Sequence, residues 1–173
     1  MKERKSFLVV LWLIIVLNGA CSSEPGINKD KFAKLKVAAQ AVKTSLAAGG
    51  SYQQLADRVQ QLSIEITSLE NRVTTNEERE LMKAYSDLLA IYRDGLLLWK
   101  YQLDFPFFDP VLKGRIYVGQ DVEPIVLKYG FSTESHVYGP TGQYWKSIAG
   151  DSIQIIWSNA DSQLKIIENI TNY

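Results

Sequence analysis

Few side chains in this sequence are of types that do chemistry, and fewer are spaced to do it together. His136 is the only histidine and stands beside Ser135. Any Ser–His–acid or Cys–His site would have to use it, because both need an imidazole as general base. No Gly-x-Ser-x-Gly elbow is present to present a nucleophilic serine on a sharp turn, so a loop histidine is the plainer reading. Ser162-Gln163-Leu164-Lys165 matches a Ser-x-x-Lys string, but the string is short and its companion motifs are missing. A zinc site wants several Cys or His, and a di-iron helical site wants Glu-x-x-His pairs on facing helices. One histidine and one cysteine supply neither. A calcium loop of alternating Asp and Asn is also absent. The expectation is a chain with no catalytic residue, no metal and no cofactor.

Aromatic side chains are the next candidates. Trp99, Tyr101, Phe105, Phe107 and Phe108 are dense, and Tyr129, Phe131, Tyr138, Tyr144 and Trp145 follow. Such residues could line a groove for a sugar, lipid or peptide, or fill one end of a helical core. Phe107, Phe108, Tyr138, Tyr144 and Trp145 are the expected members of any ligand or partner surface. Lys29, Lys31, Lys34 and Lys36 cluster with only Asp30 among them. They could touch anionic lipid headgroups; the plainer account is a solvated helix face.

The elements that would position these residues are mostly helical. Phe32, Leu35, Ala39, Val42 and Leu46 recur at steps of three and four, which puts one apolar stripe along a helix. Asn28 is placed to cap it, and Gly49-Gly50 to stop it. Ser51-Tyr52-Gln53-Gln54 reads as a capping box. Tyr52, Leu55, Val59, Leu62, Ile66, Leu69 and Val73 then alternate steps of three and four without a miss. Thr75-Asn76-Glu77-Glu78 reads as a second capping box. It opens a helix with Leu81, Tyr85, Leu88, Tyr92, Leu96, Trp99 and Leu103 on one stripe. Gly95 lies inside that helix, where another helix could cross closely. Asp151 caps a last helix whose stripe is Ile153, Ile156, Trp157, Ala160, Leu164 and Ile167.

Residues 104–150 differ. Four of the chain's five prolines and six of its eleven glycines lie there. Asp121 to Tyr129 predicts a short helix ended by Gly130. Val137-Tyr138 and Gln143-Tyr144-Trp145, either side of Gly139-Pro140-Thr141-Gly142, predict a small hairpin. The expected fold is all-α. It is an antiparallel bundle of about four long helices, with an irregular aromatic-rich insertion at 104–150.

The N-terminus reads as a targeting segment. Met1-Lys2-Glu3-Arg4-Lys5 is net positive, Phe7 to Leu17 is wholly apolar, and Asn18-Gly19-Ala20-Cys21 follows. That order is the layout of a secretory signal. The apolar run falls short of the about 20 residues a spanning helix needs. Leu17-Asn18-Gly19-Ala20-Cys21 resembles the lipobox of bacterial lipoproteins, with Ala20 as the small residue before the cysteine. Asn18 departs from that pattern, since the family usually has Leu there. The resemblance implies a diacylglycerol on the sulfur of Cys21 and cleavage just before it. Ordinary signal-peptidase cleavage, leaving a free thiol, is the alternative. Tyr85-x6-Tyr92-x6-Trp99 together with the Trp157 helix resembles helical domains of exported bacterial proteins, a likeness that carries no activity.

The expected organisation is a signal peptide at 1–20, a lipid-anchored linker at 21–27 and a helical domain at 28–173. Removing the signal leaves 153 of 173 residues, enough for one domain with a sizeable core. The full chain has zero net charge and the signal carries +2, so the remainder is near −2, which gives no field for nucleic acid. The expected function is that of a non-enzymatic lipoprotein of the bacterial cell envelope that binds a partner protein or is structural. It would meet the membrane through its lipid. Ser22 after the cysteine, in place of Asp, resembles an outer-membrane address more than an inner-membrane one. The alternative is a small-molecule binding module that uses the aromatic segment 99–145.

Overall fold

The computed structural model describes residues 26–104 and 113–172. It is mostly helical, with five helices and a small three-stranded sheet among those residues.

The first helix, α1, spans Ala33–Ala47. Asn28 does not cap it: its Oδ1 accepts from the Asp30 and Lys31 amides, closing an Asx turn one step earlier. The stop is as expected. The Gly50 amide donates to the Ser45 carbonyl and the Gly49 amide to the Leu46 carbonyl, which is a Schellman closure with Gly49 at φ 67°. A side chain on Gly50 would press on the Ser45 carbonyl.

The second helix, α2, spans Tyr52–Glu70 and begins with the full capping box of Ser51 and Gln54. Leu55, Val59, Leu62, Ile66 and Leu69 are all buried, as the stripe predicts. The third helix, α3, spans Asn76–Asp104. Only half of its predicted box forms. Thr75 Oγ1 accepts from the Glu78 amide, but the Glu78 carboxylate turns instead to the Thr74 amide and to Lys31. Leu103 is exposed at the end of its stripe, because the helix outruns the core there.

Three strands and a short helix follow. Strand β1 is Arg115–Tyr117, helix α4 is Glu123–Tyr129, β2 is Glu134–Tyr138 and β3 is Gln143–Ala149. Helix α4 starts two residues later than expected and is preceded by Val122 rather than capped by Asp121. The predicted hairpin is present, and β1 adds a third strand, giving the antiparallel order β1-β3-β2. Helix α5, Ser152–Asn172, closes the chain.

Helix α3 packs against α2 and α5, and α1 against α2. Arg93 reaches Ser63 Oγ at 2.8 Å, and Gln163 donates to the Ala84 carbonyl at 3.0 Å. One apolar core lies among the long helices, centred on Leu35, Leu62, Leu81, Leu88 and Ala160. A second joins Leu98 and Ile156 to Ile116, Ile148, Val122 and Ile125. The sheet is thus seated on α3 and α5 by one of its faces.

Candidate functional site

Strand alternation sorts the sheet into two faces. Ile116 and Ile148 are partners in register and enter the second core. Arg115, Tyr117, Glu134, His136, Trp145 and Ser147 occupy the opposite face, through the pairs Tyr117–Ser147, Glu134–Ser147 and His136–Trp145. There the rings form a row. The His136 imidazole stacks on Trp145 with centroids 4.1 Å apart, and Tyr117 lies 6.2 Å from Trp145 on the other side. The indole Nε1 of Trp145 is buried and has no hydrogen-bond partner among the described residues.

Beside the rings lies a polar knot. Ser147 is fully buried. Its Oγ is 2.8 Å from His136 Nε2 and accepts from Arg115 Nε at 3.0 Å. Arg115 also pairs with Glu134 at 2.8 Å. A neutral His136 with Nε2 unprotonated would accept the Ser147 proton, completing the knot. A serine and a histidine at this distance resemble a nucleophile and its base. The surroundings differ from such a site: the nearby carboxylate is held by Arg115, and the hydroxyl is closed to solvent. The knot joins all three strands.

The expected surface residues are dispersed. Cys21, Phe107 and Phe108 lie outside the described residues. Tyr144 and Trp145 are successive in β3, so they point to opposite faces. Trp145 is half-buried in the ring row, whereas Tyr144 is 79% exposed and pairs with exposed Val137. Tyr138 is half-buried at the end of β2. Arg115 was not singled out by sequence, yet the i, i+2 spacing of Arg115-Tyr117, Glu134-His136 and Trp145-Ser147 is the strand signal that groups these residues.

The proposed lysine patch is also altered. Lys31 does not face outward: its ammonium is 2.6 Å from the Glu78 carboxylate and donates to the Arg72 carbonyl. Burial pushes the Glu78 carboxyl up. The Lys31 hydrogen bond and charge and the backbone bonds of Thr74 and Asn28 outweigh it and hold the group down at about 2.

A cleft of about 460 Å3 lies elsewhere, where the end of α1 meets α3 and the start of α5. The Schellman turn closes one wall. Tyr92, Trp99 and Gln102 project from α3, Gln154, Trp157 and Asp161 from α5, and Lys43 from α1. Tyr52 holds Trp99 edge-on at 5.9 Å. Tyr92 is 1% exposed. Burial and the nearby Asp161 charge push its hydroxyl well above the ordinary range. Sequence periodicity placed Tyr92, Trp99 and Trp157 on core stripes and gave no sign that their ends share a cleft.

Among the described residues no three His, Cys, Asp or Glu side chains gather as metal ligands would. No helix among them is long and apolar enough to cross a membrane. The chain matches no protein-family model, no curated protein and no solved structure.

Proposed function

We propose that this protein is a lipid-anchored component of the bacterial cell envelope that acts by binding a partner protein rather than by catalysis. The long helices α1, α2, α3 and α5 serve in this reading as an antiparallel bundle that carries the 104–150 insertion. The observation that carries the binding reading is the exposed pair Val137–Tyr144 near the tip of the β2–β3 hairpin, on the same face as Ile148 but outside the core. A large cross-strand pair held out to solvent on a hairpin is a suitable anchor for a protein surface. The closed Ser147–His136–Arg115 knot favours a non-catalytic role, because a nucleophile must reach its substrate.

Two measurements test this. The intact mass of the membrane-extracted protein should include acyl chains that Cys21→Ser removes; a wild-type mass without them overturns the anchor. A photo-crosslinking residue at position 144 should give one discrete adduct in the native envelope that the same residue at exposed Lys83 does not give. Equal labelling at both positions overturns the hairpin as the partner surface.

A second reading, small-molecule binding, is favoured by one observation. Trp99, within the aromatic segment, opens onto the cleft between α1, α3 and α5.

A further inference from the structure

We propose that this cleft binds a small zwitterion, a free amino acid or short peptide carrying both an ammonium and a carboxylate. The inference rests on the small-molecule reading and names its ligand class. Three polar groups with no ion-pair or hydrogen-bond partner among the described residues line one space. Lys43 and Asp161 line the cleft from different helices. Neither has an ion-pair or hydrogen-bond partner among the described residues, whereas the five ion pairs formed elsewhere use other side chains. The third group is the Tyr92 hydroxyl. Its side chain is almost wholly buried, it has no hydrogen-bond partner among the described residues, and burial, then the Asp161 charge, pushes its hydroxyl up. The hydroxyl opens onto the cleft, where a ligand donor or acceptor beside Asp161 would bond it.

The two charges have opposite sign, so a ligand with one charge would leave the other facing it unpaired. A zwitterion pairs both: its carboxylate with Lys43 and its ammonium with Asp161. The indoles of Trp99 and Trp157 complete the site, since an aromatic wall suits both an aliphatic body and an ammonium. The volume lies in the range of small-ligand pockets, about 300–1,000 Å3.

The test uses the full chain in detergent micelles and reads tryptophan fluorescence and titration heat. The probes are the twenty standard amino acids, their glycyl dipeptides, the N-acetyl and C-amide forms of whichever binds, and neutral maltotriose. At least one free-termini probe should bind, and either blocked form should bind about tenfold or more weakly. Asp161→Asn should weaken the free form about tenfold and leave the already weakened N-acetyl form unchanged. Lys43→Gln should do the same for the C-amide form. Tyr92→Phe should weaken binding with no loss of thermal stability. If maltotriose binds instead and Asp161→Asn abolishes it, the cleft remains a ligand site and the zwitterion is overturned. If blocked and free forms bind alike, the charge-pairing proposal is likewise overturned. If no probe of either kind binds more tightly than about 10 mM, both the proposal and the small-molecule reading fall.

Discussion

Gly95 on α3 lies directly against the indole of Trp157 on α5, and a Cβ at Gly95 would overlap the six-membered ring. The glycine is what lets the two helices approach here. Gly95→Ala should therefore destabilise the protein even though alanine is the better helix former. Overpacking of this kind costs about 1–3 kcal/mol, against a gain of about 1 kcal/mol from helix propensity. Urea unfolding should show a net loss, and Trp157→Leu in the same chain should relieve part of it. An unchanged or higher midpoint for Gly95→Ala would mean the helices can separate without cost.

The Lys31–Glu78 pair predicts an acid-sensitive fold. The carboxyl is held at about 2 against an ordinary 4.5, so its folded pKa is depressed. The stability it adds is present above about pH 4.5 and is lost as pH falls through about 2. The difference corresponds to roughly 3 kcal/mol as an upper figure. Glu78→Gln should be less stable at pH 7 and show a flatter pH dependence between those limits. Equal slopes in wild type and variant would remove the pair from the account.

Ser147→Ala should cost about 1–3 kcal/mol by leaving Arg115 Nε, and the buried side of His136, without their shared partner. Thermal unfolding of the variant measures this. A loss near zero would mean that water replaces the hydroxyl without penalty.

Tyr144 and Trp145 should behave oppositely. Tyr144 is 79% exposed, so Tyr144→Ala should change stability by less than about 0.5 kcal/mol. Trp145 is half-buried between two rings, and Trp145→Ala should cost about 2 kcal/mol, near half the loss for a fully buried tryptophan. Equal losses in the two variants would contradict the two-faced hairpin.

Leu62 has no exposed surface, and Leu62→Ala should cost about 2–5 kcal/mol. Differential scanning calorimetry that finds less than 1 degree of change would place this stripe outside the core.

The helices were readable because each long one repeats its apolar step several times, as in Leu55-Val59-Leu62-Ile66-Leu69. Strand β1 was not. Arg115-Ile116-Tyr117 is too short to display an alternation, and its partner Ala149 lies more than thirty residues away. The hairpin was visible through its Gly-Pro-Thr-Gly turn, but the neighbours that seat it were not. The cleft was hidden for another reason. A 3.6-residue period reports which side of a helix faces inward, and Tyr92, Trp99 and Trp157 satisfy it. Whether the ends of such side chains meet atoms or space depends on three helices at once. Glu78 was read as a local cap because its spacing suits one; Lys31, 47 positions away, competes for the same oxygen.

The Lys31 ammonium holds both the Glu78 carboxylate and the Arg72 carbonyl, and it does so ahead of the first turn of α1. Tension applied to the chain at Gly26 would therefore meet a cross-tie to the α2–α3 corner before it reached the hydrogen bonds of α1. The load would enter two helices together, in shear, instead of unzipping one from its free end. A domain moored by its N-terminus could follow thermal undulations of the surface that holds it while its first helix kept its turns.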